Sequence, residues 1–265
     1  MKFIVTGSEG FVGKALVTAL HRRGIEVIGI DRKNGTEAKD IAKYLENEDI
    51  DCVYHLAAQT SVFNNDIEQI KKDNIDTFMI VCDVCRDKKV KLVYASSSTA
   101  NGCNTTSMYG ISKHFNEQYA TKYNPMATGV RLHNVYGPNP RQGTLLWNLL
   151  NQDKVKLYNG GENIRHFTYI DDIVEGLIYA YGSSRKLLNI ANPEKAITLN
   201  FAEIVRMYNS VDIEIVSDCK NFDNLEQTVD NTIYTVPLPY LTIYEGLGLV
   251  MTGEKPTING GTSTE

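Results

Sequence analysis

Tyr109 and Lys113 stand four positions apart in the run Tyr109-Gly110-Ile111-Ser112-Lys113. On a helix that spacing puts both side chains on one face, one turn from each other. An ammonium beside a phenol favours the phenolate and would lower the tyrosine pKa from about 10 toward neutrality. The pair therefore has the makings of a general base. Tyr-x-x-x-Lys is also an ordinary pattern of helix-surface neighbours, so its meaning rests on what surrounds it. Upstream, the apolar run Val90 to Ala95 ends in Ser96-Ser97-Ser98-Thr99. Such a hydroxyl cluster can hydrogen-bond a reacting oxygen or simply cap a helix.

The elements that must position these residues begin at the N-terminus. Lys2 to Thr6 reads as a buried parallel strand. Gly7-Ser8-Glu9-Gly10-Phe11-Val12-Gly13 follows, then an amphipathic helix from Lys14 to Leu20 and a second strand, Glu26 to Ile30, ending at Asp31. Strand, glycine turn, helix, strand and acid make a dinucleotide-binding βαβ unit. Gly7, Gly10 and Gly13 let the backbone approach a pyrophosphate, which the free N–H groups of the helix start would hold. The plain alternative is a structural glycine turn. Asp31, 18 residues past Gly13, is placed to accept hydrogen bonds from a ribose. It favours NAD over NADP, because a 2′-phosphate would meet its carboxylate; Arg32 and Lys33 directly after it pull the other way.

Asn34 to Asp49 is polar and shows no third strand. Asp40-Ile41 is either the remnant of one, or Asp40 caps a helix from Ile41 to Glu48. Asp51 to Leu56 is the next strand, and Ala57-Ala58-Gln59 after it suits close approach of a ligand or of a helix. His55 reads as a buried strand histidine. Ile67 to Lys88 has one helical apolar face. The helix carrying Tyr109 and Lys113 runs to about Tyr123, where Asn124-Pro125 stops it, and Gly129 to Leu132 begins another strand. This alternation predicts an α/β fold, a Rossmann-type doubly wound parallel sheet. Leu199 to Tyr208 (helix) and Ile213 to Val216 (strand) belong to a small C-terminal substrate lobe. The division expected is 1–135, with 165–192 returning to it, for the sheet; 136–164 and 193–250 for the lobe; and 251–265 as a disordered tail.

The 265 residues, 42% hydrophobic and 22% charged, describe an ordinary globular chain. A net charge of −5 gives no reason to expect nucleic acid. No apolar run reaches membrane-spanning length, and the N-terminus enters a strand directly, unlike a secretory leader. Five scattered cysteines, with Cys82 and Cys85 inside a helical apolar pattern, point to buried free thiols in a reducing cytoplasm rather than to a metal or redox site.

In order along the chain, Thr6 to Gly13 matches a TGxxGxxG turn and His55-Leu56-Ala57-Ala58 an HLAA strand end. Ser96-Ser97-Ser98 precedes the Tyr-x-x-x-Lys pair, Arg131 to Pro138 looks like RxxNVYGP, and Arg165 to Ile173 looks like RDFxYVDDV. Together these make the chain resemble the extended short-chain dehydrogenase/reductases, the NAD-dependent epimerase/dehydratase group acting on nucleotide sugars. The resemblance implies Ser97, Tyr109 and Lys113 as catalytic residues, with Lys113 also on the nicotinamide ribose. It implies Phe11 and Val12 at the pyrophosphate, and Leu56, Ala57, Ala58, Thr60, Asn74 and His133 around the cofactor. Arg32, Asp40 and Ile41 complete that set. Asn134, Tyr158 and Arg165, with Ser97, would meet a nucleotide-diphosphate sugar; a guanidinium is a bidentate phosphate ligand. A homodimer through the helices at 67–88 and 109–123 is implied as well, and no metal.

Departures narrow the activity. Ser98-Thr99 stand where related dehydratases have an Asp-Glu pair, Thr99 where fucose synthases have a cysteine, and no lysine follows the VYGP turn as in heptose epimerases, although Arg141 is near. The segment between Gly102 and Tyr109 is short, and Asn101 replaces a tyrosine. The function expected is an NAD-dependent nucleotide-sugar epimerase, 4-epimerase-like, working by transient oxidation. A keto-sugar reductase and an NAD-binding sensor without catalysis are the alternatives.

Overall fold

Apolar runs separated by glycine and polar turns build a parallel sheet buried on both faces. In the computed structural model, which describes residues 1–47, 49–61, 66–102, 107–217 and 224–255, β1 (Lys2–Thr6) leads through the glycine turn into α1 (Phe11–Arg22) and back to β2 (Glu26–Ile30). Next come α2 (Ile41–Asn47), β3 (Cys52–His55), α3 (Ile67–Ile70), α4 (Thr77–Asp87), β4 (Lys91–Ser97), α5 (Met108–Tyr123) and β5 (Ala127–Leu132). Beyond them lie β6 (Val135–Tyr136), α6 (Leu145–Asn151), β7 (Lys154–Leu157), β8 (Ile164–Arg165), β9 (Thr168–Tyr169), α7 (Ile170–Tyr181) and β10 (Leu187–Ile190). The last elements are β11 (Ala196–Ile197), α8 (Thr198–Arg206), β12 (Asp212–Ile215) and α9 (Ile243–Thr252).

Six strands pair in parallel in the order β10-β5-β4-β3-β1-β2. The winding direction reverses between β1 and β3, and the crevice at their carboxyl ends is where such sheets take ligands. One face is packed by α1 and α7, with Leu16, Leu20, Ile173 and Leu177 fully buried. The other is covered by α2 and α4, with Ile41, Phe78 and Val81. A third core joins α6, α8 and α9 to the two-stranded sheets β12-β7 and β6-β9 around Leu149, Phe201 and Leu247.

The strand missing after β2 in the sequence is missing in the fold: β2 is the sheet's edge among the described residues. Two 3-10 turns, Arg32–Asn34 and Ala38–Asp40, occupy its place. Asp31 and Asn34 form a capping box there, and Gly35 ends the first turn at φ 78°. Ile41 opens α2 in the core, and Asp40 pairs with Lys43 at 3.0 Å.

The single helix expected over 67–88 is broken. A π-helical turn, Lys71–Asp76, separates α3 from α4, and buried Asn74 lies within it. Of the tail expected over 251–265, Met251 and Thr252 finish α9, and Gly253 caps it at φ 79°. Residues 256–265 lie outside the described residues. Cys52, Cys82 and Cys85 are buried free thiols, their titration pushed up by burial, for Cys82 to about 11. Cys103 and Cys219 lie outside the described residues. Among the described residues no helix is long and apolar enough to cross a membrane, and no His, Cys, Asp and Glu group could hold a metal ion.

Candidate active site

The glycine turn is built by close approach. Gly7 has φ +72°, and a Cβ there would lie 2.7 Å from the Ala57 nitrogen; at Gly13 it would lie 2.0 Å from the Gly7 carbonyl oxygen. Gly10 caps α1 without a side chain, and no acid stands in the helix's first turn. The N–H groups of Phe11 and Val12 are thus left without intrahelical acceptors at the positive end of α1. The Asp31 carboxylate accepts from the Glu9 N–H (3.0 Å) and the Lys33 N–H (2.9 Å), tying the turn to the end of β2. Arg32 is turned away onto Asp73, with two bonds of 3.1 and 2.6 Å, and Lys33 reaches the Glu9 carbonyl at 3.4 Å.

The opposite wall is the end of β3. Leu56 N–H donates to the Thr6 carbonyl (3.1 Å) and Ala57 N–H to the Thr6 hydroxyl (3.3 Å). That hydroxyl also meets His55 Nδ1 at 2.8 Å. Burial, with the Lys113 charge adding to it, pushes His55 down to about 3, so it is neutral as its strand position predicts. Ala58 is half-buried beyond this pair. Asn74 orders the loop that follows: its side-chain oxygen accepts from Gln59 N–H (2.7 Å) and its nitrogen donates to the Gln59 carbonyl (2.9 Å) and to Ser112 (3.1 Å). The π-helical turn swings Asn74 into that position. Thr60, at the end of the loop, accepts from the guanidinium of Arg141, which reaches over from the other side of the cleft.

Ser97 ends β4 and Tyr109 lies in the first turn of α5, whose start is capped by Ser107. Gly110 lets the two elements touch, since a Cβ there would lie 2.7 Å from the Thr99 carbonyl oxygen. Ser97 Oγ accepts from Thr99 N–H (3.2 Å) and from the Thr99 hydroxyl (2.9 Å), and Ser97 stands near enough to the Tyr109 phenol to favour its charged form. Lys113 is buried at 3% exposure and donates to the Ala95 carbonyl (2.7 Å), with Nζ 5.8 Å from the Tyr109 ring centre.

One expectation is corrected by this arrangement. Tyr109 is raised above the ordinary phenol range, because burial outweighs the opposing pull of the Ser97 hydrogen bond and the Arg141 charge. Lys113 points at a carbonyl instead of the phenol oxygen, and burial lowers it to about 8 against the opposing charge of Glu117. The activating cation expected at Lys113 is therefore itself desolvated in this state.

On the substrate side, His133 is buried and held neutral near 3 by burial first, then by the charges of His166 and Arg131. Asn189 faces it and opposes that shift, yet neither ring nitrogen is in good hydrogen-bond geometry. Asn134 turns the chain out of β5 at φ 32°, and its side-chain oxygen is buried without a partner. Arg165, 4% exposed on β8, donates to the Ile164 (2.7 Å) and Leu225 (3.3 Å) carbonyls. Tyr158 is half-buried at the end of β7, in the same lobe.

Sequence reading missed the frame under the site. Glu117 and Arg131, 2% and 5% exposed, form a bidentate pair with both bonds at 2.8 Å. Ser96 Oγ donates to Glu117 at 2.5 Å, and Asp230 meets Arg131 at 3.3 Å. The step of four from Lys113 to Glu117 is the signal that could have found it.

The family model described as NAD dependent epimerase/dehydratase family matches residues 3–191. The chain is 31% identical over 246 residues to Protein CapI of Staphylococcus aureus, covering 74% of this chain and 72% of that one. It is 27% identical over 266 residues to the ADP-L-glycero-D-manno-heptose-6-epimerase of Brachyspira hyodysenteriae, covering 81% and 83%. The fold resembles that of the UDP-glucuronic acid 4-epimerase from Bacillus cereus, solved in complex with UDP-glucuronic acid and NAD. That match has a TM-score of 0.80 and 22% identity over 95% of this chain and 98% of the other. Given the length of the family match and the CapI similarity, the chain belongs to the NAD-dependent epimerase/dehydratase family of enzymes.

Proposed function

We propose that the protein is an NAD-dependent nucleotide-sugar epimerase, acting at the sugar C4. The observation that carries this reading is the grouping of Ser97, bonded by Thr99, with Tyr109 and with Lys113 one turn from it, at the mouth of a crevice whose shape suits a dinucleotide. The fit rests on the Gly7–Gly13 contact, which any Cβ would close, and on the bare N-terminus of α1. Asp31 would accept the ribose hydroxyls with its remaining lone pairs. With Arg32 engaged by Asp73, a 2′-phosphate would find the Asp31 carboxylate before a free guanidinium, which favours NAD over NADP.

In this reading Tyr109 removes the proton from a sugar hydroxyl, and Ser97 donates to the oxygen as it becomes a carbonyl. Lys113 would hold the ribose hydroxyls beside Tyr109. NAD held by the Gly7–Gly13 turn would supply reversible hydride acceptance, and Tyr109 would hold or return the proton at the sugar oxygen. Asn134, Tyr158 and Arg165 would hold the nucleotide diphosphate from the small lobe. Ser98-Thr99 offer no carboxylic acid and base for elimination, which favours epimerisation over dehydration.

We also propose a cytoplasmic homodimer. Ile111, Phe115 and Tyr123 on α5 and Ile80 on α4 are exposed at 46%, 39%, 42% and 41%. Their spacing makes a stripe along one side of α5, and a second copy of the same stripe is the occupant that fits it. The test of the catalytic reading is product analysis by NMR after incubation with UDP-glucose and UDP-glucuronic acid, without added cofactor. Conversion to the C4 epimer is expected; no conversion of either sugar, with turnover only of a 4-keto nucleotide sugar that consumes stoichiometric NADPH, would replace the reading with a reductase.

A further inference from the structure

We infer that Gln227 is a specificity-determining residue, whose side-chain amide donates hydrogen bonds to the sugar of the substrate. This deepens the reading above and rests on it. Ser98, next to the catalytic Ser97, donates from Oγ to Gln227 Oε1 at 3.2 Å. With the amide oxygen on the serine, the amide nitrogen is turned away from Ser98. The two N–H groups of Gln227 make no hydrogen bond among the described residues, and the side chain is half-buried.

The backbone around Gln227 is clamped at both ends. Toward the small lobe, Ile164 N–H donates to the Leu225 carbonyl (2.7 Å) and Gln227 N–H to the Ile164 carbonyl (3.3 Å), with Glu226 bridged to Ile164. Toward the sheet, Asp230 pairs with Arg131 and its carbonyl accepts from Asn189 at 3.0 Å. Arg165 donates to the Leu225 carbonyl at 3.3 Å, so the residue proposed to hold the diphosphate is two residues from Gln227 along this segment. The side chain of Gln227 meanwhile reaches the hydroxyl beside Ser97. A sugar that joins a diphosphate at Arg165 to a reacting hydroxyl at Tyr109 must pass between these two points. Its hydroxyl and ring oxygens are acceptors, which is the chemistry that two amide donors recognise. With few residues between Gly102 and Tyr109, this later segment would supply the wall of the sugar subsite.

The test is isothermal titration of the NAD-loaded protein with UDP-glucose, UDP-glucuronic acid, ADP-glucose and GDP-mannose, each against its own nucleoside diphosphate. Gln227→Ala should weaken the sugar nucleotide that the wild type binds by about three- to tenfold. Binding of the bare diphosphate should stay within about twofold. Gln227→Glu keeps an acceptor for Ser98 and removes both donors, so it should show the same selective loss and decides the matter if the alanine variant fails to fold. Unchanged affinity for the sugar nucleotide overturns the inference alone, as does equal weakening of sugar nucleotide and bare diphosphate, the mark of a structural role. Wild-type protein that binds none of the four sugar nucleotides overturns the epimerase reading and the inference with it.

Discussion

Removing the Glu117 carboxylate should loosen the frame under α5 more than any surface change. Glu117 accepts two bonds from Arg131 and one from Ser96, all from groups at most 5% exposed. Glu117→Ala leaves a buried guanidinium short of its main partner, a change that costs about 3–5 kcal/mol. It also strands the Ser96 hydroxyl. Asp230, with a quarter of its side chain exposed, still meets Arg131 at 3.3 Å and moderates the loss. The expected destabilisation is therefore near the low end, about 3 kcal/mol, out of a total of about 5–15 kcal/mol for a domain. Urea unfolding followed by circular dichroism reads it as a lower midpoint at constant slope. The paired variant Glu117→Leu with Arg131→Met should recover most of it, since apolar replacement of a whole buried pair is near neutral. A single variant that loses less than about 1 kcal/mol, or a double variant as unstable as the single one, would refute the reasoning.

Stability should rise with pH between about 8 and 10.5, because Lys113 titrates at about 8 in the folded chain and near its ordinary value when unfolded. Below pH 8 the unfavourable burial of its ammonium is fully present; between the two values the unfolded chain binds the extra proton, for a gain of up to about 3 kcal/mol. In Lys113→Met, urea midpoints at pH 7.5 and 10 should lose that contribution, and an unaltered pH slope would count against it. Gly13→Ala places a methyl 2.0 Å from the Gly7 carbonyl oxygen and should abolish stabilisation by NAD in a thermal-shift assay, whereas an undiminished shift contradicts the crevice. Phe115→Asp should convert the dimer to monomer by light scattering; a wild-type monomer at working concentration removes the proposed interface.

Legibility in the sequence followed how local the cause was. β1 and β2 end where their apolar runs end, and the glycine turn between β1 and α1 was plain because tight turns demand glycine wherever they occur. The break in the helix over 67–88 was not visible. The apolar step there is five, from Ile70 to Ile75, with polar Asn74 in the inward place, and the π-helical turn that accommodates it serves a contact between Asn74 and Gln59, 15 residues away. The titration of Tyr109 and Lys113 departs from the expectation for a related reason. Spacing puts Lys113 one turn from Tyr109, but the direction of Nζ is set by the Ala95 carbonyl on β4, and the burial of both groups by the sheet. Arg131 was read only as the start of a motif; its charge makes sense once Glu117 and Asp230 meet it from α5 and from the segment after β12.

If Tyr109 drives a reversible oxidation of the sugar, the hydride stays on the enzyme between the two half-reactions. NAD-loaded protein with UDP-glucose deuterated at C4, analysed by mass spectrometry and NMR in single turnover, tests it most directly. The expected result is a C4-epimeric product that retains its deuterium at C4, and a loss of about a hundredfold or more in rate for Tyr109→Phe with binding of the sugar nucleotide preserved. Product whose deuterium has exchanged with solvent, or turnover undiminished in Tyr109→Phe, would contradict it.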